Sequence, residues 1–209
     1  KTFDELYGNS QGIALAAWTS TNEKIKRSSA APVRQDIYIG PNTTAPNSNL
    51  KGIFEDATRI FAGFAQPQSF YAVYYRFQDK DWAKAKFAEL NISYLAGQID
   101  GSCGSLQRCN GASAGKVSGT VGFSQYGVTE PGGQTDTYHL GGGLEIHEYT
   151  HIAQAMQFIG KQKDDQNFNY LPRWFIEGHA HIAGNTGAAK SIEEYKKYRA
   201  DWLRTSPNA

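Results

Sequence analysis

The alternation of apolar and polar positions divides the chain into an amino half of mixed strands and helices and a helical carboxyl half. Asp36 to Gly40 (DIYIG) alternates and ends on Gly-Pro, which predicts a short strand running into a polar loop, Pro41 to Asn49. The period then lengthens. Ile53, Phe54, Ala57, Ile60, Phe61 and Phe64 recur at helical spacing behind Ser48 or Asn49 as N-cap, so an amphipathic helix is expected from about Leu50 to Phe64. Phe70 to Phe77 (FYAVYYRF) is an aromatic and β-branched run, apolar on both faces, the pattern of a central strand. Asp79 is placed to cap a second helix through Asn91.

The middle of the chain is glycine-rich. Val117, Val121 and Phe123 alternate with Ser118, Thr120, Gly122 and Ser124, which predicts one half-buried strand, and Thr137 to Leu140 (TYHL) reads as a shorter one. From Gly141 onward the spacing is helical: Leu144 to Ile159, a polar loop (GKQKDDQNFN), Pro172 to about Ala183, and Ser191 to Leu203. Pro172 suits a first turn, where its missing N–H would have no partner in any case. With no internal repeat, the expected fold is α/β (α+β) in a single domain over 1–209. A mixed sheet with helices fills about 1–140, and about 141–209 is helical.

Composition narrows the partners. At 209 residues and 40% hydrophobic the chain can bury a sizeable core. Its 21 Lys plus Arg against 20 Asp plus Glu leave a net charge of +1, which offers nucleic acid or an anionic membrane no electrostatic hold. No run approaches the roughly 18 apolar residues of a membrane span. Cys103 and Cys109 lie in a Gly/Ser-rich stretch that reads as a surface loop, close enough in sequence to close a small disulfide ring. Two free thiols are the alternative. A metal site using both is disfavoured, since the spacing is not CxxC and no His is near. The expectation is an exported protein with one local disulfide, its signal peptide absent from this sequence.

All five histidines fall between His139 and His181, and His147-Glu148-Tyr149-Thr150-His151 is HExxH inside a predicted helix. Positions i and i+4 project from one helical face, so two imidazoles can hold one tetrahedral metal while the Glu turns toward water on that metal. Ile146, Tyr149, Ala153 and Met156 can form the buried face, with both histidines pointing elsewhere. Two surface histidines flanking a solvated Glu would give the same string. A catalytic zinc needs a third protein ligand, and HExxHxxGxxH fails because Gln154 and Gln157 stand where Gly and His should be. A second helix must supply it. Within Leu171 to Ala180 (LPRWFIEGHA), Glu177 offers a carboxylate, and Gly178 would remove a side chain that holds the two helices apart.

HEYTH followed by LPRWFIEGHAHIAG resembles the gluzincin clan of zinc metallopeptidases, in particular the peptidase MA-like families whose second motif runs P-x-W-x-x-E-G-x-A. The likeness spans about Gly141 to Gly184. Before that, only the order of strands and helices is compatible with a zincin-like fold. The resemblance implies Zn2+ held by His147, His151 and Glu177, and Glu148 as general base in peptide-bond hydrolysis by a zinc-bound water. One departure stands out: His181 occupies the place, one turn after the Glu ligand, where several gluzincins carry an acid or polar group that orients a zinc-bound His. His181 and His179 are therefore rival third ligands. Otherwise His181 supports a zinc ligand or lines the substrate cleft, His179 reads as an exposed polar residue and His139 as a strand-end one.

Relatives also place a Tyr or His against the oxyanion, and the available residues are Tyr195, Tyr198, Tyr126 or Tyr138, the first two equally explained by packing in a terminal helix. In zincins an edge strand pairs with extended substrate, and Val117 to Tyr126 or Thr137 to Leu140 would supply it. The implied partner is a peptide or protein substrate. A zinc hydrolase of a non-peptide amide or ester, and a zinc-containing binding module without turnover, are the alternatives. Asn42-Thr43-Thr44 and Asn91-Ile92-Ser93 fit the N-glycosylation sequon, and Asp164-Asp165 lacks EF-hand spacing.

Overall fold

The fold is that of a computed structural model, described for residues 10–129, 137–161 and 171–205. The polar loop after the HExxH helix and Asp164-Asp165 lie largely or wholly outside those residues. The chain is α+β with a mixed four-stranded sheet in the order β1-β2-β6-β5. β1 (Arg34–Ile39), β2 (Ser69–Tyr75) and β6 (Val121–Gly127) run parallel, and β5 (Ala112–Ser118) returns antiparallel on β6 as an edge. β2 is central as its two-faced apolar pattern requires. Phe70, Ala72 and Tyr74 enter one core cluster, Val73 and Tyr75 the other.

The first cluster joins β2 and β6 to two helices, α2 (Leu50–Ile60) and α6 (Gly143–Met156). Phe70 packs edge-on against Phe54 of α2 at 4.8 Å and against Tyr149 of α6 at 5.5 Å between ring centroids. α2 stops four residues short of Phe64, because Gly63 takes a left-handed φ of +91° and the chain turns away. The second cluster lies under α3 (Lys80–Glu89) and α4 (Ala96–Ser102), with Phe87 against Phe123 at 5.1 Å. Cys103 and Cys109 also belong there. They pair across a small hairpin, β3 (Cys103–Ser105) with β4 (Arg108–Cys109), and form a disulfide whose two residues are buried. The expected surface loop is thus a wall of the core.

Other expectations change for local reasons. The single strand over Val117 to Ser124 is a hairpin: β5 and β6 meet at Gly119, whose φ of +46° reverses the chain while the side-chain alternation continues through the turn. Thr137–Leu140 is a short helix, α5, rather than a strand, and its Tyr138 ring packs against Tyr198. Asp79 stands at the N-cap position of α3, but its side chain makes no capping bond. Its buried carboxylate accepts from the Asn42 backbone N–H (3.0 Å), the Asn42 amide (2.7 Å) and Thr43 Oγ1 (2.6 Å), tying down the loop after β1. The Asn42 amide, the attachment point of one sequon, is committed to that bond.

α7 (Arg173–Ala188) and α8 (Ile192–Thr205) complete the helical carboxyl half. Against them lies α1 (Ser10–Arg27), which the apolar pattern does not predict. It docks by packing Ala14, Ala17 and Trp18 into one cluster with Ala188, Ala189, Tyr195 and Tyr198, and through hydrogen bonds: Trp18 Nε1 donates to Ala189 O (3.0 Å), Thr186 Oγ1 to Thr21 Oγ1 (2.9 Å) and Lys24 Nζ to Ile60 O (3.2 Å). Among the described residues no helix is long and apolar enough to cross a membrane.

Candidate metal centre

α6 begins on Gly142, at φ +81°, where a Cβ would stand 2.5 Å from Ile53 Cγ2 of α2. A second glycine brings the sheet in: a Cβ on Gly122 of β6 would stand 2.5 Å from Ile152 Cγ2. Pressed between sheet, α2 and α7, the helix buries every residue from Glu145 to Met156. Ile146, Tyr149, Ala153 and Met156 are buried as expected, but His147, Glu148 and His151 are buried too rather than turned to open solvent. A polar group in such a place needs a partner. Thr150 Oγ1 donates to Ile146 O (2.8 Å), and Tyr74 Oη to Glu145 Oε1 (3.3 Å).

α7 crosses α6 at a second close approach. A Cβ on Gly184 would lie 2.6 Å from Gly143 O and 3.3 Å from His147 Cβ. Gly178, to which the close approach was expected to belong, would meet nothing within 4 Å among the described residues. The helices therefore touch about one and two-thirds turns later than the motif suggests.

That crossing brings the three residues named as ligands together. His147 Nε2 and His151 Nε2 are 3.2 Å apart, and Glu177 Oε2 is 3.5 Å from the first and 3.8 Å from the second. Ligands about 2.0–2.1 Å from a tetrahedral zinc are separated by about 3.3 Å along the tetrahedron's edges. The donor set and its spacing fit a metal ion, and among the described residues these three form the group able to hold one. No family model, curated protein or solved structure matches this chain.

The electrostatics follow from burial and neighbours. Glu177, with its side chain 40% exposed, is held down at about 2, chiefly by hydrogen bonding to His147. Burial pushes the Glu148 carboxyl up to about 7, and among the described residues its Oε2 has no hydrogen-bond partner. Glu145, which sequence reasoning missed, is likewise raised by burial to about 7. Burial lowers the His151 imidazole. His151 Nδ1 lies 3.0 Å from Oε1 of Gln154, a residue the sequence singles out only as standing in place of the Gly of HExxHxxGxxH. The signal was a lone polar residue among Ile152, Ala153, Ala155 and Met156.

The remaining candidates divide. His181 lies with its ring 4.6 Å from that of His147, and burial takes its pKa down to about 4. His179 is not an exposed polar residue: it is half-buried, edge-on to Phe61 at 5.7 Å. Neither belongs to the group of three. His139 sits on α5, beside a small cavity with Tyr74, Tyr126 and Glu145. Tyr195 and Tyr198 are buried against Ala14, Ala188 and Ala189, the packing role, and Tyr126 stacks on Tyr74 at 4.4 Å. Beyond the C-terminal turn of α6, an apolar cavity of about 270 Å³ is lined by Phe61, Phe64, Phe158, Leu171, Phe175 and His179.

Proposed function

We propose that this chain is a zinc-dependent metallopeptidase of zincin-like fold and gluzincin type, with His147, His151 and Glu177 as zinc ligands and Glu148 as general base. The meeting of two imidazoles on α6 with a carboxylate from α7 carries the reading, because their separations match the edges of a tetrahedral site. Zinc bound by such a set acts as a Lewis acid on a carbonyl and lowers the pKa of water.

The chain's own residues do the rest. Glu148, buried and with its pKa near neutrality, takes a proton from the attacking water and returns it to the leaving amine. Glu177, ionised throughout the neutral range, supplies a permanent negative charge opposite the imidazoles. β5 is an edge strand paired on one side with β6, so among the described residues its other edge is open to an extended peptide. The buried Cys103–Cys109 disulfide favours an oxidising, exported setting.

The test is elemental analysis of the purified protein, followed by cleavage of an unfolded-protein panel by the native chain and by Glu148→Gln. Stoichiometric zinc with cleavage falling ~10²–10⁴-fold in the variant is expected. Equal activity in the two proteins removes Glu148 from the mechanism, and absence of zinc removes the metal centre. Zinc with no cleavage of any substrate moves the assignment to a non-peptide amide or ester, or to a binding role.

A further inference from the structure

Gln154 lies one turn beyond His151 and is buried, and its two ends are used differently. Nε2 is 3.0 Å from Ile176 O and 3.4 Å from His179 Nδ1, while Oε1 is 3.0 Å from His151 Nδ1. A carbonyl oxygen can only accept, so the end facing Ile176 must be the NH₂. The end facing His151 is then the amide oxygen, which also only accepts, so His151 carries its proton on Nδ1. Its lone pair is left on Nε2, the atom 3.2 Å from His147 Nε2 and 3.8 Å from Glu177 Oε2. Rotating the amide by half a turn would set two oxygens against each other at Ile176, so one arrangement satisfies both contacts. Ile176 immediately precedes Glu177, and the same amide therefore reaches the backbone that presents the carboxylate.

We propose that Gln154 is the positioning residue of this centre. It selects the tautomer of His151 that can ligate, and its bond to Ile176 O fixes which end of the amide faces that imidazole. The inference rests on the metal-centre reading above. Partners that orient a ligating His in this way typically contribute 10–100-fold to metal affinity. Gln154→Glu keeps an acceptor for Nδ1–H and loses the donor to Ile176 O, and Gln154→Leu loses both.

Two measurements on the metal-free protein test it. Long-range ¹H–¹⁵N correlation reports the His151 tautomer, and calorimetric titration with zinc alone reports affinity. Expected are Nδ1–H in the native protein and in Gln154→Glu, and a shift toward Nε2–H in Gln154→Leu. Zinc binding should weaken ~10–100-fold in Gln154→Leu and about threefold or less in Gln154→Glu. A purely structural role would weaken both variants alike, since both lose the bond to Ile176 O, and that result overturns the proposal. So does native His151 carrying its proton on Nε2, a measurement that stands even if Gln154→Leu does not fold. A native protein with Nδ1–H on His151 that binds no zinc overturns the ligand-orienting role through failure of the metal centre itself, and the tautomer result tells that failure apart from failure of the Gln154 contact.

Discussion

The carbonyl oxygen of Gly143 lies 2.6 Å from the position a Cβ on Gly184 would occupy, so α6 and α7 pass each other backbone to backbone. The obstruction is main chain, which cannot rotate away as a side-chain tip can. The same added carbon would press on His147 Cβ at 3.3 Å. Gly184→Ala should therefore push the helices apart, costing about 1–3 kcal/mol and weakening zinc binding together with stability. Gly178→Ala meets nothing within 4 Å among the described residues, inside the same helix, and should stabilise by about 0.5–1 kcal/mol. Urea denaturation and zinc titration of the two variants check this pair, and equal destabilisation would contradict the crossing.

The contrast between these glycines marks where sequence reasoning reaches its limit. The HExxH spacing is local, since i and i+4 share a helical face whatever the fold, and His147 and His151 are indeed within 3.2 Å. Glu177 was reachable through a short motif on the next helix. Which glycine lies at the crossing depends on how two helices slide past one another, and no short-range pattern carries that. α1 escaped because its docking face is built of small and mixed residues, Ala14 and Ala17 with Trp18, joined by hydrogen bonds from Trp18 and Lys24 and to Thr21, so the sequence shows no large apolar stripe there. The β5–β6 hairpin escaped because alternation runs unbroken across Gly119, although a glycine inside a strand pattern was itself the sign of a turn or bulge.

The Cys103–Cys109 link closes a short ring, so the chain-entropy model assigns it about 2 kcal/mol. The double replacement by Ala should lose about that, plus the packing of two buried sulfurs against Val73, Tyr75 and Phe123. The candidate metal centre lies on the other face of the sheet, whose core cluster contains neither cysteine. Stability measured by denaturant should therefore fall while zinc affinity stays within about twofold, sites without shared partners being nearly additive. A loss of zinc binding in the double variant would show that the two faces are coupled.

Asp79 offers a choice between two roles. A helix cap would survive replacement by Ser, which caps as well as Asp. A carboxylate that accepts from the Asn42 backbone, the Asn42 amide and Thr43 Oγ1 would not, because a serine hydroxyl is too short and offers too few acceptors. Asp79→Ser should cost about 1.5–3 kcal/mol, the range for hydrogen bonds to a charged group. A cost below about 0.5 kcal/mol in chemical denaturation would restore the cap.

Two residues on one face of α7, a turn apart, compete for the third ligand position, and the geometry separates them. Glu177 Oε2 reaches both imidazole nitrogens, at 3.5 and 3.8 Å, and its carboxyl is ionised down to about pH 2. His181 stacks its ring edge on His147 and lies outside the group of three. Glu177→Ala should abolish stoichiometric zinc, because two imidazoles alone leave the site without its anionic ligand. His181→Ala should retain it. The difference also shows in stability: at zinc concentrations about 100 times the dissociation constant, binding adds about 2.7 kcal/mol to the folded state. That increment should be present in the native chain and in His181→Ala, and missing in Glu177→Ala. Zinc retained by Glu177→Ala and lost by His181→Ala would transfer the ligand role to the histidine and make the centre one of three imidazoles.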